Sequence, residues 1–155
     1  MENQAVPVDN ALAQSLAVGL LAAGRAVVDG VQAGVRARGF GDLRPAHGFA
    51  FTRLSRGGAT ITQLAEHLDV TRQAAAQLAD ELVAKGYIER YAHPVDARAR
   101  LLVLTDKGWA AARAAEAAIA ETVAPWADLI GADRLRSLDG DLARIAPGGP
   151  LRPLW

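Results

Sequence analysis

The sequence has no cysteine, and its single methionine is Met1. A thiol-based redox sensor is therefore excluded, and thioether oxidation at one methionine is no substitute. The three histidines, His47, His67 and His93, form no i, i+3 or i, i+4 pair, which gives little ground for a zinc site. We expect each of them to be a surface or half-buried side chain, and we expect no metal and no cofactor.

An excess of charge of either sign is also missing, since 17 basic residues balance 17 acidic ones. Enzyme signatures are lacking too: there is no glycine-rich phosphate loop, no nucleophile elbow and no close Ser–His–carboxylate arrangement. Arg25 and Asp29 interrupt the apolar region 16–35, which argues against a membrane span. Glu2 and Asp9 stand where a signal peptide would have basic residues, so we expect a cytoplasmic protein. Because the enzyme signatures are lacking, we also expect that it is not an enzyme.

The 155 residues are 51% hydrophobic, enough for one sizeable core. Alanine is abundant and β-branched runs are few, which favours helices. A long helix is predicted from about Val8 to Arg38, and its apolar stripe is too extensive for a monomer of this size. Glycines within that helix each cost about 1 kcal/mol relative to alanine unless close backbone approach compensates. The stripe predicts packing on a partner and comprises Leu12, Leu16, Leu20, Val27, Val31 and Val35.

Two short helices follow one another closely in the middle of the chain. Thr60 is a hydroxyl N-cap for an amphipathic helix over 61–68, and Thr71 is a second N-cap for a helix through Lys85. Gly86 stands where a left-handed residue ends the second helix. Between the two helices, Asp69 and Val70 leave room only for a tight turn, so this stretch predicts a helix-turn-helix.

Two short strands, 87–91 and 100–104, are predicted after the second helix. The residues between them include Pro94 and Asp96 as turn formers and Arg98 as the only arginine, which suits an exposed hairpin tip. Helix, turn, helix and hairpin in this order predict a mainly α fold with a small β-hairpin wing. That fold is a winged helix-turn-helix, flanked by N- and C-terminal dimerisation helices, and it indicates a DNA-binding protein.

Winding the second helix at about 100° per residue places Thr71, Ala75, Leu78 and Leu82 on one side, which would pack on the first helix, and leaves the other side for DNA. Long polar side chains near its N-terminus can hydrogen-bond base edges or phosphates, and alanine methyl groups can contact thymine. A polar solvent-exposed face is the alternative. The predicted DNA-binding residues are Thr71, Arg72, Gln73, Ala74, Ala76 and Gln77 on this helix, with Arg90, Asp96, Arg98 and Arg100 on the wing.

Over residues 43–145 the sequence resembles the MarR (multiple antibiotic resistance regulator) family of bacterial transcription factors. The resemblance implies a homodimer that binds double-stranded DNA, with a wing arginine in the minor groove. Arg98 occupies that position, and Asp96 matches the acid that orients it, although an ordinary solvated turn is the alternative. The motifs are Gln63-Leu64-Ala65, Val70-Thr71-Arg72, Leu82-x-x-Lys85-Gly86-Tyr87-Ile88-Glu89-Arg90, His93-Pro94-Val95-Asp96-Ala97-Arg98-Ala99 and Leu102-x-Leu104-Thr105-x-x-Gly108.

The flanking helices complete the prediction. Pro45 starts a helix through Leu54 or Ser55, Thr105 caps a helix from Asp106 to about Ala124, Pro125 breaks or kinks it, and a last helix spans 133–145. We expect the apolar tail 151–155 to dock on the dimer, with a frayed terminus as the alternative. By family position His47, Phe51 and Trp109 are candidates for an aromatic or phenolic effector, although core packing, or a cap or surface role for His47, is favoured.

These patterns divide the chain into an N-terminal dimerisation helix (1–42), a winged helix-turn-helix (43–105) and C-terminal dimerisation helices with a tail (106–155), all within one compact unit. The predicted function is a regulator, by family default a repressor, that binds a near-palindromic operator as a homodimer and is released by a small effector. The alternative is a winged-helix module that binds proteins instead of DNA. The operator, the target genes and the effector cannot be derived from the sequence.

Overall fold

The computed structural model describes residues 9–96 and 98–146. Within these residues the chain forms six helices and one antiparallel hairpin, which confirms the predicted mainly α fold with a β-hairpin wing. The elements are α1 (Asn10–Ala37), α2 (Pro45–Leu54), α3 (Ile61–Leu68), α4 (Arg72–Ala84), β1 (Ile88–Ala92), β2 (Arg100–Leu104), α5 (Asp106–Ile130) and α6 (Ala132–Ile145). The residue Val8, the wing residue Ala97 and the predicted docking tail 151–155 lie outside the described residues.

The two helices of the helix-turn-helix begin at the predicted caps. The Thr60 hydroxyl accepts from the backbone N–H of Gln63, whose side chain accepts from the Thr60 N–H in return. The Thr71 hydroxyl accepts from the N–H of Ala74. Asp69 adopts a left-handed conformation (φ 50°) that reverses the chain between α3 and α4. Each cap satisfies a backbone donor that the helix itself leaves without a partner, so local sequence fixes where both helices start.

An isolated antiparallel β-bridge attaches the wing to the segment that precedes α3. Ala59, just before α3, exchanges two backbone hydrogen bonds with Leu102 of β2, at N–O distances of 3.0 and 2.8 Å. A Cβ on Gly58, whose φ is +80°, would lie 2.8 Å from the Leu102 carbonyl oxygen. Glycine is therefore required at this close approach. The sequence pattern did not predict this contact, since no strand periodicity surrounds Ala59.

The core extends from the helix-turn-helix and the hairpin to α1, α2 and α5. Its fully buried members include Leu64, Leu68, Leu82, Ile88 and Leu102. Tyr87 is buried immediately before β1, where its ring packs against Phe40 and Phe51. The predicted strand 87–91 begins one residue late, at Ile88, because the Tyr87 N–H donates to the Leu82 carbonyl of α4 while its ring enters the core.

The long helices α1 and α5 pack closely because two glycines of α1 leave room for α5. A Cβ on Gly34 would lie 2.6 Å from the Ala118 Cβ, and one on Gly30 would lie 2.7 Å from the Thr122 side chain. The backbone approach at these two positions compensates for the helical cost of glycine. Gly19 and Gly24 face open space.

Helix α5 runs through Pro125 to Ile130. Of the two alternatives predicted for Pro125, a break or a kink, the break is therefore wrong. A proline inside a helix removes one backbone hydrogen bond and costs about 3 kcal/mol, but it does not remove the remaining bonds of the neighbouring turns. Because Thr122, one turn earlier, is held against α1, the preceding part of the helix is anchored by packing.

The N-terminal part of α1 exposes a continuous apolar surface. Leu16 is 54% exposed, and its apolar neighbours along the helix are exposed to a similar degree. By length and composition alone, α1 is also apolar enough to cross a membrane, and the Arg25 and Asp29 side chains do not remove this property. The exposed large apolar side chains of α1 are Leu12, Leu16, Val18, Leu20 and Leu21.

Candidate nucleic-acid interface

Helix α4 presents the predicted polar surface and buries the predicted apolar one. Ala75 and Leu82 are completely buried, and Leu78 is half-buried against the core. Thr71, which the sequence places on the same side as these residues, is instead exposed at the N-cap, and Ala79 is buried in addition. The structure places the other candidates of this helix on its outer side: Arg72, Gln73, Ala74 and Gln77 are exposed and Ala76 is half-buried.

The exposed face of α4 is suited to reading bases through neutral groups. Gln73 and Gln77 are one turn apart, and each amide has both donors and an acceptor that can pair with an adenine edge. Arg72 is the only basic residue of the helix, and it lies in the first turn. The N-terminal backbone N–H groups of a helix also favour a phosphate, so this end of α4 combines base-reading and phosphate-binding groups.

The tip of the wing is ordered by side chains that accept backbone hydrogen bonds. His93 Nδ1 accepts from the N–H groups of Val95 and Asp96, at 3.3 and 3.1 Å. The Asp96 carboxylate accepts from the backbone N–H of Arg98 at 2.9 Å. Asp96 thus orders the main chain at Arg98, and no ion pair joins the two side chains within the part of the chain described. The Arg98 side chain is exposed.

Two further predicted wing residues lie at the surface. Arg100 is exposed and pairs in register with Ala92 at the end of the hairpin next to the tip loop. Arg90 is directed toward α4, where its Nη2 lies 2.5 Å from the Asp80 carboxylate. Tyr91, which the sequence pattern did not single out, is 53% exposed between them and donates to Glu89 Oε2 at 2.6 Å. That hydrogen bond raises the pKa of Tyr91.

A cavity of about 390 Å³ lies between α1, α2 and α5. Of the three candidates, only Phe51 lines it. Trp109 is 40% exposed outside the cavity, and His47 is buried but does not line it. The positions of these three residues along their helices did not indicate which of them would face the cavity. The cavity is lined mainly by apolar side chains, and its polar or charged members are Gln32, Arg44, Thr52, Ser55 and Glu116.

His47 belongs to a polar cluster at the N-terminus of α2. Its Nδ1 accepts from the backbone N–H of Arg44 at 2.9 Å, and its Nε2 lies 3.3 Å from the Glu81 carboxylate of α4. Burial lowers the pKa of His47, and the nearby carboxylate only partly opposes this shift. Of the two alternatives to a ligand-binding role, capping therefore describes His47 better than surface exposure.

The comparisons with known proteins agree with this geometry. Residues 42–99, the helix-turn-helix with most of the wing, match the family model of the MarR family. The transcriptional repressor CouR, solved bound to a 23-mer DNA duplex, is 27% identical with a TM-score of 0.73, and the match covers 92% of this chain and 99% of that one. No curated protein matches the sequence.

Two further solved structures share the whole fold. A MarR family regulator from Streptomyces coelicolor, in complex with DNA, is 19% identical with a TM-score of 0.71, covering 98% of this chain and 95% of that one. A MarR family regulator from Rhodococcus sp. RHA1 is 20% identical with a TM-score of 0.72, covering 90% and 97%. At these identities the likeness establishes the fold, which is the winged helix-turn-helix with flanking helices predicted from the sequence.

Proposed function

We propose that this chain, a winged helix-turn-helix regulator of the MarR family, represses transcription in the cytoplasm by binding a near-palindromic operator as a homodimer. One observation carries the DNA-binding part of the proposal. The Arg90–Asp80 contact joins the wing to the recognition helix α4, so the exposed face of α4 and the arginines of the hairpin belong to one connected surface. Such a surface can address a major groove and the adjacent minor groove together.

The zero net charge shapes how this surface would act. Balanced charge provides little long-range attraction to DNA, so positive potential has to come from the wing and the start of α4. Nonspecific binding is then weak and sensitive to salt. Specificity would rest on Gln73 and Gln77 for base edges, and on Arg98 for the minor groove.

The homodimer is supported by the apolar surface that a single chain leaves uncovered. The N-terminal half of α1 exposes Leu12, Leu16 and Leu20, and the C-terminal helix α6 exposes Ile145. Exposed apolar side chains clustered along a helix are costly in water and typical of a protein interface. A second copy would bury these faces and hold two recognition helices at a fixed separation.

The effector is assigned to the cavity between α1, α2 and α5. Phe49 and Phe51 provide aromatic walls, while Thr52 and Ser55 provide hydroxyl groups. A cavity of this composition suits a small aromatic or phenolic compound. Binding there would release DNA by changing the separation of the recognition helices, which has to match major grooves about 34 Å apart.

The experiment that tests the function is selection of bound sequences from random duplex DNA with the purified chain. A dimeric reader enriches a near-palindrome whose half-site centres are about 10 bp apart. A screen for small molecules that release the selected duplex then tests the effector. A winged-helix protein-interaction module, the alternative, would enrich no sequence, and that result would remove the DNA-binding proposal.

A further inference from the structure

Glu81 connects the recognition helix to the wall of the cavity. It lies near the C-terminal end of α4, away from the N-terminal turns that face DNA. Its carboxylate accepts from Lys85 Nζ at 2.8 Å and from the Arg44 guanidinium, and it lies 3.3 Å from His47 Nε2. One side chain of α4 therefore contacts two residues at the start of α2.

The orientation of His47 follows from its hydrogen bonds. Because Nδ1 accepts from the Arg44 N–H, the neutral ring carries its proton on Nε2, the nitrogen that faces Glu81. His47 is completely buried, and its Nε2 makes no well-aligned hydrogen bond to any acceptor among the described residues, the Glu81 carboxylate at 3.3 Å included. A buried donor without a partner is costly, so the ring constrains where the Glu81 carboxylate can lie.

The same cluster holds the C-terminal end of α4 from a second direction. Lys85 Nζ donates to the backbone carbonyl of Asp42 at 2.6 Å, and the Lys85 carbonyl accepts from Lys107 Nζ of α5 at 2.7 Å. Tyr87 donates to the Asp42 carboxylate at 2.7 Å. The end of α4 is thus fixed by polar contacts to the loop before α2 and to the start of α5.

Arg44 belongs both to the polar cluster around Glu81 and to the wall of the cavity, which it lines together with Pro45. A ligand group that accepts hydrogen bonds from the Arg44 guanidinium can draw it away from Glu81, which Nη2 contacts. Displacement of that guanidinium removes a contact that holds α4, while the opposite end of the same helix carries Gln73 and Gln77.

We propose that Glu81 is a positioning residue for DNA binding, whose contacts with Arg44 and His47 fix the orientation of α4 and relay changes at the cavity wall to it. The proposal rests on the proposed function. It assigns a role in operator affinity to a carboxylate that does not itself face DNA, and it names Arg44 as the group through which an occupied cavity changes that affinity.

If Glu81 acts only through its charge, removing that charge tightens DNA binding; if it positions α4, the same change weakens binding. The two roles therefore predict opposite changes in affinity. Glu81→Gln removes one negative charge, so charge alone would tighten binding to DNA, most strongly at low salt. If Glu81 positions α4, the same substitution weakens binding to the duplex selected by the wild-type chain, by at least fivefold at fixed salt. The matched control is Glu66→Gln, an equal charge change at an exposed residue of α3 without an ion pair among the described residues.

Three further variants keep the test decisive. Glu81→Asp retains the charge but shortens the side chain, so it is expected to weaken binding without any electrostatic contribution. Arg44→Gln is also expected to weaken binding, and the double variant Arg44→Gln/Glu81→Gln is expected to lose less than the two single losses combined, because both remove one contact. Circular dichroism and light scattering show whether each variant remains folded and keeps its mass.

The outcomes separate this proposal from the proposed function. If the wild-type chain selects no duplex, the function itself fails. If the wild-type chain binds, and folded Glu81→Gln binds as tightly as Glu66→Gln while Glu81→Asp matches the wild type, Glu81 does not position α4. Additive losses for Arg44 and Glu81 would likewise overturn their assignment to one contact.

Discussion

Arg90 of β1 and Asp80 of α4 form an ion pair, with 2.5 Å between Nη2 and Oδ1, that joins the wing to the recognition helix. Both side chains are substantially exposed, so the pair contributes little to stability, about 0.2 to 1 kcal/mol for pairs of this kind. Its importance is geometric. It holds a cation of the wing beside α4, the proposed recognition helix, and balances a carboxylate that would otherwise repel the phosphates of bound DNA.

Arg90→Gln is therefore expected to weaken operator binding while leaving folding intact. Removing one phosphate-binding cation from the interface lowers the slope of log affinity against log salt by about 1, and weakens binding similarly for matched and mismatched sequences. Fluorescence anisotropy over a salt series, with matched and mismatched duplexes, measures both the affinity and its dependence on salt. Arg113→Gln, at an exposed arginine of α5, is the control; an equal slope for the two variants would show that Arg90 does not approach DNA.

The His93 ring is expected to order the wing tip through Nδ1, which accepts two backbone hydrogen bonds. His93→Ala removes the acceptor and is predicted to cost about 1 kcal/mol of operator binding, the net contribution of a typical hydrogen bond. His93→Asn, whose side-chain oxygen can replace Nδ1, should retain most of the affinity. Equal affinities for the alanine variant and the wild type would show that the order of the tip is immaterial to binding.

The exposed stripe of α1 is predicted to form the dimer interface. Leu16→Glu places a charge in that stripe and is expected to yield monomers, with operator binding abolished as a consequence. Light scattering gives the mass, and Gln14→Glu, an exposed polar position of the same helix, is the control. A wild-type chain that is monomeric in solution and sediments with phosphatidylcholine vesicles would instead show that α1 enters a bilayer.

The charge state of Glu81 predicts how stability changes in acid. Hydrogen bonds from Lys85 and Arg44 lower the pKa of Glu81 from an ordinary value of 4.5 to about 2. A pKa lowered by folding contributes stability that is present above pH 4.5 and is lost as pH falls from 4.5 toward 2. Urea unfolding across this range should therefore show Glu81→Gln approaching the wild type as pH falls. A constant difference would contradict the lowered pKa, and Glu66→Gln is the control.

Local chemistry made much of the fold predictable. The Thr60 and Thr71 caps, Pro45 at a helix start and Gly86 at a chain reversal each act within a few residues, so the sequence located these boundaries closely. The end of α5 was not predictable in this way. Pro125 has a strong local preference against helix interiors, but packing of α5 on α1 through Gly30 and Gly34 prevails over it.

The exposed face of α4 was more predictable than the contacts on its other side. Periodicity places Gln73 and Gln77 outside and Ala75 inside, because one helix face is buried along a single element. The Arg90–Asp80 and Arg44–Glu81 pairs join residues 10 and 37 positions apart, and no local pattern identifies such partners. His47 shows the same limit, since family position indicated a ligand site while tertiary packing turned the ring toward Glu81.

The most direct test of DNA reading by this chain is the affinity of Arg98→Ala for the duplex selected by the wild type, measured at fixed salt. Asp96 orders the backbone at Arg98 and leaves its side chain exposed at the wing tip. Loss of a minor-groove interaction is predicted to weaken binding by about 1 to 3 kcal/mol while the dimer mass stays unchanged. Arg134→Ala, at an exposed position of α6, is expected to bind like the wild type. An Arg98→Ala variant with unchanged affinity would contradict the account of the wing as a DNA-reading element.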